Sequence, residues 1–126
     1  MRNDWRDATN AGDLNRVCAL LDGGADVNAL DEHGQTALMN AAHRGDADLV
    51  QILIQRGAKL NNTAKYRLTA LMLAVINNHA EVVRLLVNAG ADKEIKGSKG
   101  HFERTPLQYA EENGKPDLVT ILRNGT

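Results

Sequence analysis

The chain has 126 residues, enough for one domain with a useful core and too few for two ordinary domains. With 25% charged and 43% apolar residues it has a soluble globular composition, and a net charge of −1 argues against a bulk nucleic-acid binder. A single cysteine, Cys18, no signal-like apolar run in residues 1–10 and no membrane-length apolar stretch argue against a disulfide framework and a spanning segment, and point to a reducing, cytoplasmic setting.

The chain repeats itself. Residues 1–29 read as a degenerate first unit, with a break at Gly12 and an apolar second helix carrying Val17, Leu20 and Leu21. Gly24-Ala25-Asp26 stops that helix, and an Asp/Asn-rich connector through Asp31 follows. Residues 30–62 form a second unit: Thr36-Ala37-Leu38-Met39 opens its first helix with a threonine cap, Gly45 breaks the chain, and Val50, Ile52 and Leu53 mark the second helix before Gly57. Residues 63–98 repeat this 33 positions later, from Thr69-Ala70-Leu71-Met72 through Asn78 and Val82-Val83-Arg84-Leu85-Leu86 to Gly90-Ala91-Asp92. Residues 99–126 complete the series with Thr105-Pro106-Leu107-Gln108, Gly114 and Val119, now shifted by 36, so three residues are inserted between units three and four. Pro106 suits the first helical position, and the last unit is expected to lack a long second helix after Pro116. No unit can bury its apolar face alone, so the sequence predicts a linear all-α stack and not a closed globule.

With these landmarks the sequence resembles the ankyrin repeat over essentially its whole length. The resemblance is carried by 31–38, Ala41-Ala42, Gly45-Asp46, 49–53 and Gly57-Ala58, and by 77–86 with Gly90-Ala91-Asp92. It implies a helix-turn-helix solenoid with short β-hairpin fingers, and protein binding through finger tips and the inner face of the first helices; catalysis is not a property of such repeats. Three departures stand out. Ala37 and Ala70 replace the family's proline. Met39, Met72 and Gln108 replace its histidine, which implies the loss of hydrogen bonds between units. Arg67 takes the finger-turn place held by Gly34, so the third finger is expected to turn differently. The extended segment 96–104, with Gly97 and Gly100, is expected to be the most distinctive loop.

Chemistry is thinly supported. His33, His43, His79 and His101 lack metal-ligand spacing, and Gly97-Ser98-Lys99-Gly100 is not a phosphate loop. Arg44-Gly45-Asp46 is accounted for by the repeat's own break, and Cys18 aligns with the polar Gln51, Arg84 and Thr120. No nucleophile–base pair is evident, so neither an enzyme nor a cofactor is expected.

A docking surface is better supported, and its positions are carried over from the family one by one. They are Glu32, His33, Gln35, His43 and Arg44 in unit two, and Lys65, Tyr66, Leu68, Ile76 and Asn77 in unit three. Arg104, Glu112 and Asn113 match in unit four with Phe102 beside them, and Glu103 extends that group. Tyr66, Leu68, Ile76 and Phe102 are the expected anchors, being apolar at places expected to face solvent. Residues 1–62 carry a net −3 and residues 63–126 a net +2. The reading is therefore an adaptor or inhibitor that binds a protein partner as a monomer, without nucleic acid or membrane. The alternative is a structural, self-associating module that pairs the same patch with a second copy.

Overall fold

The computed structural model describes residues 2–124; Met1 and residues 125–126 of the last unit lie outside it. Eight α-helices follow one another among these residues: α1 (Asn3–Ala11), α2 (Leu14–Asp22), α3 (Ala37–Arg44), α4 (Ala47–Gln55), α5 (Ala70–Ile76), α6 (Ala80–Asn88), α7 (Pro106–Glu112) and α8 (Pro116–Asn124). They pair as helical hairpins. The first helices form one row, α1 on α3 on α5 on α7, and the second helices form the other, α2 on α4 on α6 on α8.

Local chemistry sets the helix ends. Thr36, Thr69 and Thr105 accept from the backbone N–H three residues on, each at 3.2 Å. At α7 the bond is reciprocated, because the Gln108 side chain accepts from the Thr105 N–H at 3.0 Å and closes a capping box. The breaks at Gly12, Gly45, Asn78 and Gly114 are all left-handed, as the spacing predicts. The last helix corrects an expectation: α8 runs nine residues, as do α2, α4 and α6, and it buries Leu118, Ile121 and Leu122.

One apolar cluster runs through the stack from Trp5 to Leu122. Met39 and Met72 lie fully inside it, so the places that would hold histidine supply packing instead of polar bonds. Bonds between units are formed elsewhere, which revises the expected loss. Asn28 accepts from the Lys59 N–H and Asn61 from the Asp92 N–H, both at 2.8 Å, the same bond one unit later. Arg44 donates to the Thr9 carbonyl at 2.8 Å, and His79 Nε2 donates to the His43 carbonyl at 2.9 Å.

The connectors differ from the expected β-hairpins. No strand forms among the described residues. The finger of unit two closes as a turn with Asp31 N–H to Gln35 O at 2.9 Å and Gly34 N–H to Asp31 O at 3.0 Å. Two bonds close a turn, but a ladder needs paired arms that these connectors do not extend.

Candidate protein interface

The finger of unit three repeats the bonding of unit two in spite of Arg67. Ala64 N–H reaches Leu68 O at 3.0 Å and Arg67 N–H reaches Ala64 O at 2.9 Å. The difference lies in the dihedrals: Tyr66 and Arg67 are both left-handed, at φ 62° and 59°, where Gly34 alone is left-handed in unit two. Each bulky residue held there costs about 1–2 kcal/mol.

The inserted segment folds onto this strained tip. Ser98 N–H donates to the Tyr66 carbonyl at 2.8 Å. The rings of Tyr66 and Phe102 stack with centroids 6.0 Å apart and planes 25° from parallel. The ammonium groups of Lys65 and Lys99 stand 5.0 and 5.9 Å from the Tyr66 ring centre. Gly97 makes the fold-back possible: a β-carbon there would lie 2.9 Å from the Phe102 carbonyl carbon and closer still to its oxygen.

The other expected positions divide. Tyr66 is 36% exposed and Phe102 and Ile76 are half-buried. Leu68 is a correction: it is 8% exposed and belongs to the core, because the two left-handed residues turn the chain inward after the tip. Glu32, His33 and His43 are exposed and Gln35 is half-buried, with Glu32 lying 3.5 Å from Arg6 and 3.7 Å from His33. Arg44 is spent on the stack, through Thr9 O and Asp46 3.7 Å away. Arg104 pairs with Glu112 at 2.7 Å. Asn77 and Asn113 donate to the carbonyl four residues back in their own helices, at 2.8 and 2.9 Å. The fold therefore joins Tyr66 to Phe102 and Arg104 to Glu112.

Sequence reasoning missed Leu30, which is 53% exposed on the connector of unit two. Its signal was present, since Thr63 and Lys96 hold the same register. Cys18 is half-buried on α2.

Asp31 organises the finger of unit two. Its carboxylate accepts from the His33 N–H at 2.8 Å, the Gln35 N–H at 3.0 Å and the Asn40 side chain at 3.0 Å. Partial burial pushes its pKa up, but the bonds from Gln35, Asn40 and His33 outweigh this and hold it below the usual carboxylate range. A lowered folded pKa contributes stability above the unfolded value near 4 and loses it as pH falls through the folded value. Asp31→Asn should destabilise at neutral pH, and urea unfolding should show the gap to wild type narrowing below about pH 4.

The family model for ankyrin repeats (three copies) matches residues 6–97. The chain belongs to the ankyrin repeat family, whose members are generally protein-interaction modules. The match ends before α7 and α8, which follow the insertion. No curated protein matches the chain. No helix among the described residues is long and apolar enough to cross a membrane.

Proposed function

We propose that the chain is a four-unit ankyrin array, divided at about residues 29, 62 and 98, that acts as an adaptor or inhibitor without catalysis of its own. A protein partner docks on the finger tips and first helices of units two to four. The observation that supports this most is the Tyr66–Phe102 pair, two stacked rings raised on a turn with two strained residues. Stored strain at an exposed aromatic tip is a cost to folding that an interaction site can justify. Ile76, half-buried at the end of α5, is taken as a further anchor, whereas Leu68 serves the core.

The test is capture from a cell lysate of the source organism, with wild type compared against the Tyr66→Ser, Ile76→Ser variant after both give the same helical circular dichroism. A protein retained at least about tenfold better by wild type supports the site, since aromatic anchors each contribute about 2 kcal/mol or more. Equal retention moves the site to unit two, around Glu32, His33 and Leu30. Sedimentation showing a dimer that the same variant dissolves would replace the adaptor with the self-associating module.

A further inference from the structure

We propose that the tip of the third finger and the inserted segment form a cationic dock for an acidic protein segment, with Lys65 and Lys99 at the Tyr66 ring and the exposed Arg67 and Lys96 on the same two segments. This rests on the docking reading above and names the chemistry of its partner.

The convergence of unpaired cations on one stacked ring pair carries the inference. Outside the dock but among the described residues, seven arginines stand within 4.0 Å of a carboxylate, while Arg16, Lys59, Lys93 and Lys115 do not, and these four are scattered along the chain. Among the described residues, the four cations of the dock have no carboxylate in that range, although Glu94 and Glu103 lie in the same stretch of chain. Two ammonium groups nevertheless converge on one ring, at 5.0 and 5.9 Å from its centre. The ring quadrupole offsets part of their repulsion, and an arriving carboxylate would offset the rest. Arg67 adds a second independent sign. It holds a charge in a left-handed conformation at the place where Gly34 makes the same turn without strain.

The occupant follows from what surrounds the dock. A nucleic-acid strand tracking the array would run from the dock toward a half with net charge −3. The Tyr66 ring is already taken up by Phe102 and two ammonium groups, so it offers a poor stacking platform for a base. The acidic connector and finger of unit two, the densest carboxylate cluster that a second copy would offer, are engaged at home: Asp31 accepts three bonds, Asp26 accepts from the Asn28 N–H and Glu32 faces Arg6. A glutamate- or aspartate-rich segment of a different protein fits both the charge and the local extent of the patch.

The experiment titrates the full chain with a fluorescent glutamate-rich peptide of about a dozen residues, read by anisotropy and by amide NMR shifts. Binding should weaken several-fold from about 50 to about 200 mM salt, with shifts at 65–68 and 96–102. Lys65→Glu with Lys99→Glu should lower affinity at least about tenfold at an unchanged melting temperature. Arg67→Gly should weaken binding several-fold while raising the melting temperature by a few degrees, a combination that damage to the fold cannot produce. Equal affinity in the charge-reversed variant, shifts confined to other units, or tighter binding of a single-stranded oligonucleotide would each overturn the proposal. Should the Tyr66→Ser, Ile76→Ser variant lose a lysate partner while the acidic peptide binds nowhere, the acidic chemistry falls and the docking reading stands. Should both tests fail, the acidic dock and the third-finger site both fall.

Discussion

Gly97→Ala should take the finger tip apart and leave the helical stack standing. The added β-carbon meets backbone at Phe102, not the far end of a flexible side chain, so the inserted segment itself must move. Moving it separates the Tyr66 and Phe102 rings and breaks the Ser98–Tyr66 backbone bond. The pair contributes about 1 kcal/mol beyond its buried area and the bond about 1 kcal/mol, so the local loss is about 2 kcal/mol. The caps and core helices lie outside this segment, and circular dichroism should stay unchanged. NMR would check the claim directly: cross-peaks between the Tyr66 and Phe102 rings should vanish, and amide exchange over 96–104 should accelerate. Persistent ring–ring cross-peaks would show that the loop absorbs the extra carbon in some other way.

Gly45→Ala should be among the costliest single-methyl additions in the array, because it acts between units. Gly45 is left-handed at φ 78°, and its missing β-carbon leaves room for the His79 ring of the next unit, whose Cε1 and Cγ would lie 2.6 and 2.8 Å from it. That placement lets His79 Nε2 donate to the His43 carbonyl. The substitution combines left-handed strain of about 1 kcal/mol, the clash, and the loss of a hydrogen bond of about 1 kcal/mol, for about 3 kcal/mol in all. Gly57→Ala is the control, since Gly57 is left-handed at φ 86° with nothing within 4 Å of its added carbon. Urea unfolding should show Gly45→Ala costing about 2 kcal/mol more than the control. Adding His79→Ala should recover at least about 1 kcal/mol of the difference by removing the ring. Equal costs for the two glycines would mean that the His79 contact carries no weight.

One histidine illustrates how far the sequence could be read. His79 was legible as structural, since it stands at the start of a second helix, but its partner was not, because His43 lies 36 residues earlier. The threonine caps were legible in full. A cap is a bond between residues three apart, and the same short pattern recurs at Thr36, Thr69 and Thr105. The left-handed breaks were legible for the same reason, and so was the oddity of Arg67 at a glycine's place. The left-handed backbone of Tyr66 beside it was not signalled.

The docking residues show the limit most clearly. Tyr66 and Leu68 are two residues apart, both apolar, and both were expected to face a partner. One is 36% exposed and stacks on Phe102, while the other is 8% exposed and packs in the core. Composition could not separate them, because the outcome depends on two consecutive dihedrals and on where the inserted segment returns. The lost histidine bonds tell the same story, since Asn28 and Asn61 supply replacements to residues 31 positions away.

The sequence by itself determined the family, the row of helix caps and breaks, the place of the insertion and the uneven spread of charge. All of these are either local bonds or counts along the chain. Only the tertiary structure decided which anchors reach the surface, which cations are already paired and how the units are tied together. Those depend on distances between segments far apart in sequence, which packing sets and no local pattern encodes.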